Sequence, residues 1–188
     1  ACSLTETAPR YIDFELAAYV KSAYIQQKID LAVDHPSQVR DIKTSLILSS
    51  HDMDDRPADL VRRVESMMEQ EACSVVKVAW HARSVRDNLE AFELLRQRSK
   101  PMVALCMGPF GLMSRVLSPK FGGLFTFASE TEEAHTAPGQ QTINTMRSLY
   151  RYDSIGPSTK VYGIIDWPVE HSLSPLLHNT VFDEVNHD

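Results

Sequence analysis

Basic charge is in short supply in this chain. Lysine and arginine number 19 against 25 aspartates and glutamates, leaving a formal net charge of -6 over 188 residues. There is no basic footprint, which argues against a nucleic-acid partner. Cysteine is scarcer. Cys2, Cys73 and Cys106 form neither a disulfide framework nor a metal-ligand spacing. They fit a reducing compartment, so a cytoplasmic location is expected. No apolar run approaches membrane-spanning length, and no leader pattern opens the chain, so no membrane partner is expected. No glycine-rich phosphate loop follows any strand-like run. The chain starts at Ala1 rather than Met and stops at Asp188 just after a helical pattern, so both ends are expected to be cut. What remains, 43% hydrophobic and 23% charged residues, is the composition of a globular protein of one to one and a half domains.

The hydrophobic pattern alternates between strand and helix periods. Tyr11–Leu16 reads as a strand with Ile12, Phe14 and Leu16 on one face and Asp13 and Glu15 on the other. A helix or two follow, broken near Pro36. Ser45–His51 is a second strand, with Ile47, Ser49 and His51 sharing a face. Asp55 and Pro57 mark a helix carrying Leu60, Val61, Val64, Met67 and Met68 at helical spacing. Cys73–Trp80 is a third strand, apolar on both faces apart from one lysine. A capping box of Ser84 and Asp87 then opens a helix with Val85, Leu89, Phe92 and Leu95 as its expected stripe. Pro101–Met107 is a fourth strand, with Val103, Leu105 and Met107 on one face. Gly108–Gly111 loops into a short helix bearing Ser114 and Arg115, and Leu124–Ala128 is a fifth expected strand. Pro138-Gly139-Gln140 opens a helix to about Tyr152.

Five βα units in succession predict an α/β fold with a parallel sheet, and short strands with regular helices favour a partial (β/α)8 TIM barrel over a doubly wound sheet. A closed barrel needs eight strands, so three are expected to be missing from the front. Residues 153–160, rich in Ser, Gly, Pro and Thr, read as a linker. Val161–Ile165 and Ser174-Pro175 read as the first strand and helix of a second α/β domain, itself cut short. The expected organisation is therefore 1–152, linker 153–160, and 161–188.

The third strand carries the most pointed signal. Val75, Lys77 and Ala79 share one face, and Val76, Val78 and Trp80 the other. Burying an ammonium is costly, so the neutral amine is favoured there, and such an amine forms Schiff bases with ketones. A lysine that snorkels to solvent is the bland alternative. In a barrel the site lies at the carboxyl ends of the strands, where His51, Lys77, Arg115 and Gln140 fall. Singly, each is as readily structural as functional. Together they supply a base, an amine nucleophile, a carboxylate clamp and a neutral hydrogen-bonding group, a set suited to imine chemistry on a ketone that carries a carboxylate.

These residues resemble type I 3-dehydroquinate dehydratase. Ser49-Ser50-His51-Asp52-Met53, Val76-Lys77-Val78-Ala79, Met107-Gly108 through Gly111 to Ser114-Arg115, and Ala137-Pro138-Gly139-Gln140 stand in that family's order and spacing, over about residues 9–152. Asp13-Phe14-Glu15-Leu16 and Phe121-Gly122 also fit. The resemblance implies that Lys77 forms the Schiff base, His51 is general base and acid, Arg115 holds the substrate carboxylate, and Gln140, Thr136 and Met107 line the pocket. It implies no metal and no diffusible cofactor for the dehydratase. Tyr162-Gly163, Pro168, His171-Ser172-Leu173-Ser174-Pro175 and His178-Asn179 resemble the opening of shikimate dehydrogenase. There Ser172 and Ser174 match hydroxyls that take the shikimate carboxylate, and Ser174 is also the expected N-cap of its helix. NADP and the dehydrogenase's catalytic Lys and Asp belong to a part beyond Asp188. The implied partners are small molecules, 3-dehydroquinate and shikimate, and a homodimer is left open.

Two departures qualify the resemblance. Asp166-Trp167 stands where the dehydrogenase family usually has Gly and a small polar residue. The Glu and Arg residues that the dehydratase family carries on its first strands, to bind substrate hydroxyls and orient the histidine, find no counterpart before residue 11. Little dehydratase turnover and marginal stability are therefore expected of residues 1–188 alone. A class I aldolase-type barrel is disfavoured by the Arg115 and Gln140 motifs. A non-catalytic regulator built from these domains is disfavoured by the presence of both Lys77 and His51.

Overall fold

Four of the apolar runs become strands, and the helical patterns between them become the crossovers that keep those strands parallel. The computed structural model describes residues 9–34, 44–169 and 171–185; Cys2 and the expected break at Pro36 lie outside them. Strands β1 (Tyr11–Glu15), β2 (Ser45–Asp52), β3 (Cys73–His81) and β4 (Met102–Met107) form one sheet in the order β1-β2-β3-β4. All pairs are parallel. Helices α1 (Leu16–Lys21) and α2 (Ala23–Asp34) connect β1 to β2, α3 (Leu60–Glu69) connects β2 to β3, and α4 (Asp87–Gln97) connects β3 to β4. Short helices α5 (Leu112–Val116) and α6 (Ile143–Ser148) follow, and then α7 (Ser174–Glu184).

The alternation read for the third strand is what the sheet shows. Val76, Val78 and Trp80 pack under the helices with Leu48, Leu60 and Leu95. Val75 faces the other way, into a smaller apolar layer with Ile47, Val103 and Leu105, over which Tyr11, Phe125 and Phe127 lie. Lys77 shares that second face. The helix-side layer carries the stability. Leu48 has no exposed surface, so Leu48→Ala is expected to cost about 2–5 kcal/mol in denaturant unfolding.

Several expected elements differ. Leu16 begins α1 rather than ending β1. Leu124–Ala128 is not a fifth strand. Its Leu124 N–H donates to Met102 O at 2.9 Å, and the segment then crosses the inner face. Phe125 meets Tyr11 at 5.9 Å between ring centroids, and Phe127 meets Phe125 at 5.6 Å. Covering that face with two rings competes with ladder pairing beside β4, and the next bridge forms between Ser129 and Thr142 instead. Pro138–Gln140 is a turn, and α6 starts later, where the Thr142 hydroxyl caps it by accepting from Thr145 N. Val85 precedes α4 and is exposed, as is Leu89 within it, while Asn88 and Ala91 are fully buried. Ser84 does not cap it; the Asp87 carboxylate accepts from the Arg83 and Ser84 amides at 2.7 and 3.4 Å. Val61 is likewise exposed on α3.

Beyond residue 152 the expected tether is docked. Lys120 Nζ donates to Pro157 O at 3.1 Å and Thr159 O at 2.6 Å. Val161–Ile165 forms no strand; it has no sheet partner among the described residues, and Ile165 is fully exposed. Helix α7 begins at Ser174-Pro175 as expected, but its N-cap position is Leu173. The Ser172 hydroxyl, not that of Ser174, accepts from the Ser174 amide, at 3.3 Å. Asn179 Nδ2 donates to Leu149 O at 2.7 Å, and Arg151 pairs with Asp183 at 3.1 Å, anchoring α7 on the end of the first unit. No helix among the described residues is long and apolar enough to cross a membrane.

Candidate active site

Parallel register sets Glu15, Ser49 and Lys77 side by side across β1, β2 and β3. His51 lies two residues further along β2 on the same face, roughly 7 Å up the strand. At this level the inner face turns polar on β1, β2 and β3, while Val103 and Leu105 keep it apolar on β4. Lys77, 8% exposed, places Nζ 2.6 Å from Asp13 Oδ2 and 4.4 Å from the centroid of the Phe127 ring. The amine is thus held between a carboxylate and an aromatic face. This corrects the picture of an amine among apolar groups alone: Asp13 pairs with it across the width of β2.

His51 is oriented the same way. Its Nδ1 lies 2.8 Å from Glu15 Oε2, and its backbone N–H donates to Glu15 Oε1 at 3.2 Å. Ser49 Oγ donates to Glu15 Oε2 at 3.3 Å. A carboxylate acceptor at Nδ1 fixes the tautomer with the proton on Nδ1 and leaves Nε2 free to take one. Glu15→Gln weakens that charge-assisted bond, worth about 1.5–3 kcal/mol. It is expected to lower turnover about 10- to 100-fold, read as kcat with the substrate at saturation.

Arg115 enters from α5, after β4. It is 2% exposed, and burial pushes its guanidinium down from the usual range. One Nη donates to Phe127 O at 3.5 Å, and Nε is buried with no hydrogen-bond partner among the described residues. Phe127 therefore touches both cations, Lys77 by its ring and Arg115 by its carbonyl. A buried guanidinium with open donors suits an incoming carboxylate. Met107, 3% exposed, ends β4 in register with His81.

Gln140 is carried in by the closeness of two loops. Gly108 N donates to Pro138 O at 3.0 Å. Gly139 has φ +73°, and a Cβ there would lie 2.3 Å from Gly108 O. Only glycine allows this approach. Gln140 is 4% exposed, and its Oε1 accepts from Thr136 N at 2.8 Å and Thr136 Oγ1 at 3.1 Å. Its side-chain amide nitrogen is then available as a donor. Thr136 itself is exposed, acting on Gln140 as well as on the rim.

His51 and Met107 thus lie at the carboxyl ends of β2 and β4, Lys77 stands mid-strand in β3, and Arg115 follows β4 on α5, with the Gln140 loop pinned directly after Met107. Ser172 and Ser174 do not join them; their helix bonds to Leu149 and Arg151. Asp13 and Glu15 were expected only as part of a matching strand, without a role, and Phe127 not at all; Glu15 orients His51, a task the resemblance placed on strands missing from the front. A signal existed for the acids: two carboxylates at alternate positions of a strand in a sheet buried on both sides. The thiols do not compete as nucleophiles. Burial pushes Cys106 up to about 12 and Cys73 also upward. Among the described residues no group of three His, Cys, Asp or Glu side chains could hold a metal ion.

A parallel α/β protein with a lysine and a carboxylate-oriented histidine on one face of its sheet, and a buried arginine against the Phe127 segment that covers that face, is the class that fold and site define. The family model of type I 3-dehydroquinase matches residues 2–157. The bifunctional 3-dehydroquinate dehydratase/shikimate dehydrogenase of Arabidopsis thaliana is 36% identical over 179 residues, 91% of this chain and 29% of that protein. The 3-dehydroquinate dehydratase of Syntrophobacter fumaroxidans is 36% identical over 132 residues, 67% of this chain and 56% of that enzyme. The solved type I dehydratase of Clostridium difficile superposes with a TM-score of 0.58 at 24% identity, covering 78% of this chain and 56% of that one, a likeness of fold. The chain belongs to the type I 3-dehydroquinase family, and spans about half or less of these relatives' length.

Proposed function

We propose that this chain carries the lysine and histidine of a 3-dehydroquinate dehydratase working through a Schiff base. The observation that supports this best is the pair of carboxylate-held groups on one face of adjacent strands, Lys77 on Asp13 and His51 on Glu15. Lys77 Nζ adds to the C3 ketone, and the carbinolamine loses water to give a protonated imine. That imine is an electron sink, so the neighbouring C2 proton becomes acidic. His51 Nε2 removes it, and the electron pair left on C2 forms the new double bond as the C1 hydroxyl departs, protonated by His51, as water. Hydrolysis of the imine regenerates Lys77 and consumes the water released when it formed, so one water is lost overall. Arg115 pairs with the substrate carboxylate, while Gln140, Met107 and Thr136 border the ring. No step calls on a metal or a diffusible cofactor.

In this reading residues 1–152 are the dehydratase part, 153–160 the linker, and 161–188 the opening of a shikimate dehydrogenase. The similarity to fused relatives supports that arrangement. NADPH-dependent reduction to shikimate then belongs to the fused whole, where Ser172 and Ser174 receive the shikimate carboxylate. The test is to follow the ultraviolet absorption of the conjugated enone product. Slow enone formation from 3-dehydroquinate, abolished by Lys77→Met, is the expected result. Enone formation unaffected by that substitution would contradict the proposal.

A further inference from the structure

Helix α4 buries an amide where a hydrophobic stripe would be the ordinary choice. Asn88 has no exposed surface, and a buried polar group is costly unless it is hydrogen-bonded. Three of its four hydrogen-bonding positions are filled here. Nδ2 donates to Val85 O at 2.8 Å and to Phe110 O at 2.7 Å, and Oδ1 accepts from Ser114 N at 2.9 Å. One side chain therefore ties the start of α4 to the loop after β4 and to the first turn of α5. Ser114 completes the clasp: its Oγ accepts from Cys106 N at 2.7 Å and donates to Gly111 O at 2.7 Å.

The residue after Ser114 is Arg115. Among the described residues, its charged end has one long bond, to Phe127 O, and an Nε without a partner. Helix α5 has five residues, too few to hold its own geometry. The aim of the guanidinium must then come from the backbone that Asn88 and Ser114 hold. We infer that Asn88 is a positioning residue for Arg115, setting the carboxylate clamp through the Phe110 carbonyl and the Ser114 amide. This rests on the reading of Arg115 as the group that takes the substrate carboxylate and of Lys77 as the imine-forming amine.

The test is a four-protein comparison: the unsubstituted chain, Asn88→Leu, Arg115→Gln and the double variant. Each is treated with borohydride over a series of 3-dehydroquinate concentrations, and the half-saturating concentration for adduct at Lys77 is read by mass. Asn88→Leu is expected to raise that concentration about tenfold when Arg115 is present, the effect of misplacing one charge-assisted contact. In the Arg115→Gln background it adds less than about twofold, because the two residues act as one unit. Equal shifts in both backgrounds, or no shift beside Arg115, overturn the inference and mark Asn88 as purely structural. Amide hydrogen exchange across residues 110–115 should quicken in Asn88→Leu; unchanged exchange also overturns it. Absence of any adduct in the unsubstituted chain would instead overturn the imine reading, and this inference with it. Should Asn88→Leu not fold, Asn88→Asp keeps the volume and the Ser114 bond while losing the donors to Phe110 and Val85. It is expected to shift the concentration in the same direction by about threefold, and no shift would overturn the inference.

Discussion

Replacing Lys77 with Met takes enone formation to the uncatalysed background and removes every borohydride-trappable adduct. Removal of a covalent nucleophile costs about 10⁴-fold or more, since the residues around it cannot supply the missing step. The effect on folding should be small by comparison. Removing one partner of a fully buried ion pair costs about 3–5 kcal/mol. The Asp13 side chain, however, is 35% exposed, so water takes over its charge and the expected cost falls to about 1 kcal/mol. Met also fills the lysine's volume and rests on the Phe127 ring. Turnover is lost, then, while the unfolding midpoint scarcely moves. A large drop in stability would show instead that Lys77 is chiefly a structural ion-pair member.

Replacing His51 with Ala separates the covalent step from the proton transfers. The expected loss in kcat is about 10²–10⁴-fold, the range for one general acid–base group. The His51 side chain is 35% exposed, so folding is little affected. Lys77 still meets the ketone in this variant, and adduct accumulates because elimination behind it has stalled. Quantifying trapped adduct against time checks this. A variant that loses adduct in proportion to turnover would place His51 in imine formation alone.

The two residues with the largest expected effects were also the most legible in the sequence, for a local reason. Strand alternation needs only neighbouring residues, and it put Lys77 with Val75 on the inner face. Contacts across strands depend on register, which no single segment contains. Glu15 and Asp13 could be assigned a face, but not paired with His51 and Lys77, until β1 was laid against β2. Leu124–Ala128 has strand-like composition, yet its Phe125 and Phe127 rings do more by covering the inner face than the backbone would by extending the ladder. Asn88 was passed over because helical periodicity marked Leu89 instead; which side of α4 is buried follows from how the helix lies on the sheet. Ser174 illustrates a smaller shift. Its position beside Pro175 marks the helix start, but Leu173 holds the N-cap position, and the hydroxyl that accepts from the Ser174 amide is that of Ser172.

Most direct is the identification of the residue that 3-dehydroquinate modifies under borohydride. Digestion and mass spectrometry should find the reduced substrate adduct on the peptide containing Lys77 and on no other lysine. The adduct should be lost in Lys77→Met and retained in His51→Ala. Adduct on Lys100 or Lys120, or none at substrate concentrations that saturate a related dehydratase, would contradict the central claim that Lys77 is the imine-forming amine.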